Sequence, residues 1–246
     1  MKRALFLFAS FGFLATSQAQ TFKNLLKKDS TGKTGIQKVL KSGTGTSLSS
    51  DEIANGLKEA LNVGTNNAAQ KLSAVDGFFK DAAIKILMPA EAQKAEKKLR
   101  ALGMGKLVDD AILSMNRAAE DAAKSAAPIF ITAVKQITIQ DAVGILRGND
   151  FAATNYLKEK TTLSLGDAFR PVIENSLRKV NATKYWATVF STYNRFSTDK
   201  VNPDLSAYVT EKALAGIFTQ IGLEEQKIRK DPMARTTDLL KKVFGK

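Results

Sequence analysis

Residues 109–157 read DDAILSMNRAAEDAAKSAAPIFITAVKQITIQDAVGILRGNDFAATNYL, and this stretch decides the fold. Apolar and alanine side chains recur in it at intervals of three and four residues, which gives each predicted helix an apolar face. Pro128 divides the stretch, because proline ends or kinks a helix, and Gly148 is suited to ending a second helical run. The stretch therefore predicts several closely packed helices at the centre of an all-helical domain.

Two helix-start signals lie inside the stretch. Thr138 and Asp141 stand three residues apart, in the pattern of a capping box. Asp150 precedes the helical residues 151–157, and we expect its side chain to cap that helix. Because the connections are short, neighbouring helices should run antiparallel.

The sequence on either side also predicts helices and lacks the alternation typical of strands. Ser49 and Glu52 form a second capping box, and Gly64 is expected to interrupt the helix that follows. Further helices are predicted after Pro89 as far as Leu102, over residues 165–180 and 183–196, after Asp204 as far as Arg229, and at residues 239–244. The fold class is therefore all-α: a compact, bundle-like multi-helix domain over residues 49–246, preceded by a flexible basic arm.

The first 19 residues have the pattern of a secretory signal peptide. Lys2 and Arg3 precede an apolar run at residues 4–15, and small residues end at Ala19, where we expect cleavage. An uncleaved anchor is the alternative, although the apolar run is short for a membrane span. The mature protein is thus expected in the periplasm, without a transmembrane segment.

The next segment, residues 20–48, is basic and rich in glycine, serine and threonine. Such a composition buries too little apolar area to offset the entropy cost of ordering, so we expect a mobile arm. Its lysines could contact anionic lipid or acidic envelope glycans. The six lysines of this arm are Lys23, Lys27, Lys28, Lys33, Lys38 and Lys41.

Composition excludes several kinds of chemistry. The chain has no cysteine and no histidine, so disulfides, iron–sulfur clusters, zinc sites with Cys or His ligands and imidazole catalysis are closed to it. We therefore expect neither a metal nor a cofactor. The formal charge of +13 suits an anionic partner, and expected export argues against nucleic acid.

Several blocks of the chain resemble one bacterial family. They are GLKEAL at residues 56–61, SMNRAAEDA at 114–122, QDAVGILRGNDFAATNYL at 140–157, LSAYVTEKALAGIF at 205–218 and IRKDPMARTTDLLKKVFG at 228–245. The family is the one catalogued as domain of unknown function (DUF) 4197. The resemblance implies an exported, mostly helical envelope protein without an assigned activity, and it supplies no catalytic residues.

The first candidate site comprises Asn116, Arg117 and Glu120. Pairs with Asp121 and Lys124 are possible at i, i+4 spacing, so these residues can form an ordinary solvated helix face. Alternatively, Asn116 and Glu120 face inward among alanines, where a buried carboxylate needs a partner. Such a group could hold a ligand or lock the helices together.

The second candidate site comprises Arg229, Arg235 and Thr236, placed around a proline turn. Two arginines there could clamp an anion, or could pin the C-terminal segment to the core through acids such as Glu225. We predict an ion pair between one of these arginines and an acid in residues 109–150, with Glu120 or Asp141 as the favoured partner.

The third candidate is the aromatic group Tyr185, Trp186, Phe190, Tyr193 and Phe196. Aromatic side chains at this spacing usually belong to a core. The other interpretation is one wall of an apolar groove for a lipid chain or a partner helix.

These observations favour a non-enzymatic protein that binds a small ligand, a lipid or an envelope component. The alternative is a peptidoglycan hydrolase that uses an acidic side chain, since paired carboxylates can cleave glycosides without histidine. An apolar cavity without a free carboxylate pair would favour binding, whereas a cleft with Glu or Asp at its base would favour hydrolysis.

Overall fold

The computed structural model describes residues 48–245, except residues 197, 199 and 201–203. Short 3-10 turns at Ala90–Ala92 and Pro232–Ala234 precede the second and last helices. This described part contains no strand, which confirms the all-α prediction. The helices are α1 (Ser50–Ser73), α2 (Gln93–Ala101), α3 (Gly105–Ala123), α4 (Ala126–Lys135), α5 (Ile139–Arg147), α6 (Ala152–Lys179), α7 (Ala182–Phe196), α8 (Leu205–Lys230) and α9 (Asp238–Phe244).

The centre of the domain is the contact of α6 with α3 and α8. Every fourth residue of α6 forms a fully buried stripe, made by Leu165, Phe169, Ile173 and Leu177. The facing side of α3 is built mainly from buried alanines, which allow the helix axes to approach closely. The opening stretch is therefore central through α3, while the later part of α6 completes the core.

Helix α6 is longer than the sequence predicted. Residues 151–157 and 165–180 were expected to form separate helices, but they belong to one helix, with Pro171 inside it. Pro171 lies on the exposed face of α6. There, solvent can satisfy the carbonyl group that loses its helical partner to proline, so the helix continues.

Helix α1 also continues through a residue that was expected to break it. Gly64 is buried within α1, and a Cβ atom at that position would lie 3.6 Å from Cβ of Glu224. The glycine therefore marks the place where α1 packs closely on α8 rather than a helix end.

The last helix packs on the first. A Cβ atom at Gly56 of α1 would lie 2.6 Å from Cγ2 of Val243 in α9. Leu240 is fully buried and packs with Ala60 of α1 and Ile228 of α8. A small residue at position 56 is thus required by this contact.

The capping predictions have mixed outcomes. The Thr138–Asp141 capping box is present at the start of α5, and Asp204 caps α8 by accepting from the Ala207 N–H. The predicted cap at Asp150 is wrong, because the first N–H groups of α6 are bound by the distant Glu225 instead. The carboxylate of Glu225, which is distant in sequence, thus binds the N–H groups that Asp150 was expected to cap.

No single described helix has the length and apolarity needed to cross a membrane. The pair Ala126–Lys135 and Ile139–Arg147 meets the requirement together by length and composition only, and it is bent by 108°.

Candidate functional site

The connection between α1 and α2, residues 74–89, is held by the polar residues of α3. Asn116, Arg117 and Glu120 all hydrogen-bond to this connection. The connection carries its own buried anchors, Phe78 and Ile86, into the core. The structure thus brings the three residues of the first candidate group together, and each of them binds the 74–89 connection of the chain itself.

Asn116 is fully buried and pairs with Ile86 as a neighbouring strand would. Its Oδ1 accepts the Ile86 N–H at 2.9 Å, and its Nδ2 donates to the Ile86 carbonyl at 2.8 Å. Nδ2 also donates to the Ile112 carbonyl at 2.8 Å, within α3. Both the oxygen and the nitrogen of the amide are therefore hydrogen-bonded, and these bonds fix the 74–89 connection to α3.

Glu120 is 4% exposed and is satisfied by three donors. Its Oε1 accepts the N–H groups of Phe78 at 3.1 Å and Phe79 at 3.2 Å, and its Oε2 accepts from Arg117 at 2.6 Å. Arg117 also donates to Asp76 at 2.6 Å. The buried carboxylate has the cationic partner that the sequence called for, but this partner comes from its own helix.

Asp76 adopts a backbone conformation that is rare for residues other than glycine, with φ of 69°. Hydrogen bonds from Lys80 and then Arg117 hold the pKa of its carboxyl group below the ordinary value. These ion pairs help to keep the chain in this turn at the start of the connection.

Arg229 and Glu225 form a buried junction among three helices. Glu225 accepts the N–H groups of Ala153 at 3.0 Å and Thr154 at 2.8 Å, at the positive end of the α6 dipole. Arg229 pairs with Glu225 at 2.8 Å and donates to the carbonyl of Ile145 at 2.8 Å, at the negative end of α5. Each charge is thus matched to a helix end and to its partner.

Arg235 has a different task. Its Nε and guanidinium nitrogens donate to the carbonyls of Ile228 at 3.0 Å and Arg229 at 2.9 Å, which caps the C-terminal end of α8. Thr236 is exposed, and the neighbouring Thr237 caps α9 by accepting the Leu240 N–H. The second candidate group is therefore split between two structural roles.

The predicted clamp between these arginines and Glu120 or Asp141 is wrong. Among the described residues, Arg229 pairs with Glu225 and Arg235 binds only backbone carbonyls. Glu120 is already satisfied by α3 and the connection, so it has no need of a distant cation. The end of α8 is nevertheless tied to the central stretch, by an exposed ion pair of 2.5 Å between Lys230 and Asp150.

Asp141 is a capping residue of α5. Its Oδ2 accepts the Thr138 N–H at 3.0 Å and lies 3.4 Å from the Tyr156 hydroxyl group. The backbone hydrogen bond from Thr138 is the main reason that the pKa of Asp141 lies below its ordinary value. Burial raises the pKa of Tyr156, and the nearby Asp141 carboxylate adds to this effect.

Two of the predicted aromatic residues lie at the wall of a groove. Trp186 and Phe190 of α7 are each 6% exposed, and their ring centroids are 4.5 Å apart at an angle of 50°. The side chains of Tyr185, Tyr193 and Phe196 lie outside the described set. The lining of the groove combines Trp186 and Phe190 with residues of α3 and of the C-terminal end of α6.

The groove has a volume of about 850 Å³ and is bounded by α2, α3, the end of α6 and α7. By contrast, the space beside Glu225 and Arg229 has only about 20 Å³, which is enough for one water molecule. The groove is therefore the larger candidate site. Its lining is mainly apolar and includes Met88, Leu99, Leu107, Leu113, Trp186 and Phe190.

One end of the groove has surplus positive charge. Asp121 binds Lys124 at 2.9 Å and accepts from the Ser176 hydroxyl at 2.9 Å. The hydrogen bond from Lys124 lowers the pKa of Asp121 most, and the charge of exposed Lys179 adds to the effect. Two lysines thus share one carboxylate at this end.

The other carboxylates that line the groove are bound to cations. Glu96 binds Arg100 at 3.0 Å and Asp110 binds Lys106 at 2.6 Å, while Glu120 binds Arg117. Among the described residues, no group of three or more acidic side chains is arranged to hold a metal ion. The groove is thus mainly apolar, and each carboxylate that lines it forms an ion pair with a lysine or an arginine.

The family assignment agrees with the sequence blocks. A family model described as Protein of unknown function (DUF4197) matches residues 47–245. The chain belongs to this family. No curated protein and no solved structure matches it. Within this DUF4197 domain, the block at residues 114–122 holds the 74–89 connection, and the block at 228–245 contains the cap of α8 and all of α9.

Sequence reasoning named one wall of the groove and missed the others. The aromatic residues of α7 were singled out, whereas no residue of α2 was named as a candidate. Helix α2 has no fully buried residue, yet Leu99 lines the groove. Glu225 was named only as a possible partner, although its i, i+4 spacing from Arg229 was a usable signal.

Proposed function

We propose that this DUF4197 protein binds a single-chain amphiphile with an anionic head group, such as a long-chain fatty acid, in the groove. The observation that carries this proposal is the apolar groove of about 850 Å³ closed on one side by Trp186 and Phe190. Ligand pockets commonly measure about 300–1,000 Å³ and have apolar walls with few polar groups. Each methylene buried there contributes about 0.8 kcal/mol to binding, before the entropy cost of association.

The head group is assigned to the end of the groove at Lys124, Ser176 and Lys179. Two lysines and one carboxylate leave a surplus of one positive charge there. The Ser176 hydroxyl already donates to Asp121, so the lysines supply the donors for the ligand. An anionic head group at this end places the alkyl chain along the apolar wall.

The groove supports binding better than hydrolysis. A general acid for glycoside cleavage needs a raised pKa, whereas that of Asp121 is lowered by Lys124. Glu96, Asp110 and Glu120 are each held by a cation. These neutralised carboxylates match the outcome expected of a binding protein.

We place this protein in the periplasm or cell envelope. The support is the sequence of residues 1–19, with its two basic residues, short apolar run and terminal small residues. Measuring the mass of the protein recovered from the periplasm tests this proposal, and the expected mature chain begins at Gln20. Recovery of the whole chain from the cytoplasm alone would contradict it.

Trp186 makes the binding proposal directly measurable, because the chain has one tryptophan and it lies in the groove. A long-chain fatty acid with bromine on its alkyl chain is titrated below its micelle-forming concentration. We expect saturable quenching of Trp186 fluorescence, with weaker binding of the uncharged alcohol of the same chain length. Absence of saturable quenching overturns the proposal.

A matched pair of variants locates the ligand. Ala111 lines the groove, so Ala111→Phe should fill it and weaken binding about tenfold or more. Ala215 is exposed on α8 and does not line the groove, so Ala215→Phe should bind as the unchanged protein does. Equal binding by all three proteins places the ligand elsewhere and rejects the groove.

A further inference from the structure

The turn between α2 and α3, together with the first turn of α3, exposes three apolar side chains within six residues. Leu102 is 75% exposed, Met104 is 44% exposed and Leu107 is 53% exposed. Gly103 between them has φ of 77°, and a Cβ atom there would have nothing within 4 Å. We call residues 102–107 the apolar tip. It is a projecting turn rather than a flat face.

Basic residues stand beside the apolar tip. Lys97 and Lys98 are exposed on the last turns of α2, and none of the described carboxylates forms an ion pair with either. Arg100 and Lys106, by contrast, are bound to Glu96 and Asp110. The tip therefore combines apolar side chains with two lysines available to an anionic surface.

We propose that the apolar tip docks on an anionic phospholipid bilayer. Leu102, Met104 and Leu107 would enter the boundary between head groups and acyl chains, while Lys97 and Lys98 contact the phosphates. Single exposed apolar residues are common on soluble proteins, so the argument rests on three of them meeting at one projecting turn beside unpaired lysines. A stable protein partner usually needs about 800 Å² on each side, which a turn of this size does not present.

The tip is continuous with the groove. Leu107 belongs to the tip and also lines the groove, as does Leu99 one turn before the end of α2. A bilayer at the tip would therefore lie beside one opening of the apolar site. The docking proposal does not depend on groove binding, because it rests on the exposed side chains alone.

The test is binding of the chain from Gln20 to vesicles of phosphatidylglycerol and phosphatidylethanolamine, measured by co-sedimentation. The variant Leu102→Glu/Met104→Glu should bind these vesicles about tenfold more weakly. Both residues are exposed, so the variant should melt as the unchanged protein does. Binding of the brominated fatty acid, followed through Trp186, should be unchanged, which separates docking from the groove.

The matched control is Leu163→Glu/Met233→Glu, which places the same charges on side chains that are 84% and 87% exposed elsewhere. All chains keep the basic residues 20–48, so the arm contributes equally. We expect the control to bind vesicles normally. Equal binding by the tip variant, an equal loss in the control, or equal binding to neutral phosphatidylcholine vesicles would each overturn the docking proposal.

Discussion

The side chain of Asn116 and the backbone of Ile86 form two hydrogen bonds, of 2.9 and 2.8 Å, in a place without solvent. Among the described residues, no backbone group hydrogen-bonds to the Ile86 N–H or carbonyl, because the 74–89 connection is irregular. A side chain on α3 thus does the work that a neighbouring strand does in a sheet. This relationship makes the conformation of the connection depend on one residue.

Replacing Asn116 by Ala should therefore destabilise the domain by about 2–4 kcal/mol, because it leaves a buried N–H and a buried carbonyl unpaired. Urea unfolding followed by circular dichroism measures the change. The control is Asn155→Ala, at an exposed position of α6, where the change should be within about 0.5 kcal/mol. A cost for Asn116→Ala as small as that of the control would show that its hydrogen bonds to Ile86 are unimportant.

The Glu225–Arg229 pair should be strongly coupled. Removing either partner should cost about 3–5 kcal/mol, with the larger cost for Glu225→Ala, which also strands the Ala153 and Thr154 N–H groups. The double variant should cost less than the sum of the single changes. Denaturant unfolding of the unchanged protein, the two single variants and the double variant gives the coupling free energy of the pair as a double-mutant cycle.

The exposed pair Lys230–Asp150 is the matched control for that cycle. It lies at the same end of α8, with side chains 60% and 50% exposed. Its coupling should be below about 1 kcal/mol. Additive effects at Glu225 and Arg229 would contradict the buried junction.

Two glycine substitutions should act in opposite directions. Gly144 lies exposed inside α5, and a Cβ atom there meets nothing within 4 Å, so Gly144→Ala should stabilise by about 0.5–1 kcal/mol. A Cβ atom at Gly216 would lie 2.5 Å from Cε1 of Phe78, so Gly216→Ala should destabilise by about 1–3 kcal/mol. Thermal melting measures both changes. A stabilising Gly216→Ala would mean that Phe78 can move aside.

Asp141 should give acid-dependent stability. Its pKa is lowered in the folded protein, so its contribution is present above the ordinary value of 3.8 and is lost as pH falls through the folded pKa. The difference in unfolding free energy between the unchanged protein and Asp141→Asn should therefore shrink as pH falls below about 4. Urea unfolding from pH 7 to pH 2 tests this. A difference that stays constant over that range would contradict the assignment.

The basic arm, residues 20–48, should add to vesicle binding, and all but the last of its residues lie outside the described part. Each of its lysines should contribute about 1 kcal/mol near an anionic surface, and less as salt rises. Co-sedimentation compares the chain from Gln20 with one that begins at Ser47. Equal binding to anionic vesicles at low salt would reject a role for the arm.

Local patterns predicted much of this fold, because they depend on near neighbours in the sequence. The Thr138–Asp141 box and the Asp204 cap follow from short spacings. The interruption at Gly64 and the division of α6 into two helices were wrong, because the close packing of α1 on α8 and the long core contact of α6 depend on distant helices. Such effects are set by tertiary packing.

The candidate site was less accessible to sequence reasoning for the same reason. An inward-facing position for Asn116 and Glu120 was one of two interpretations of their alanine surroundings, and their partners lie on an irregular connection with no periodic signal. The aromatic wall at Trp186 was visible in the sequence. The opposite wall at Leu99 and Leu107 belongs to helices that pack there only in three dimensions.

The contact of α9 with α1 has a consequence for biosynthesis. Gly56 and Ala60 are covered by Val243 and Leu240, which are made about 180 residues later. Because chains are made at about 5–20 residues per second, this face of α1 stays uncovered for several seconds or more. Helix α1 therefore cannot complete its packing before α9 has been made.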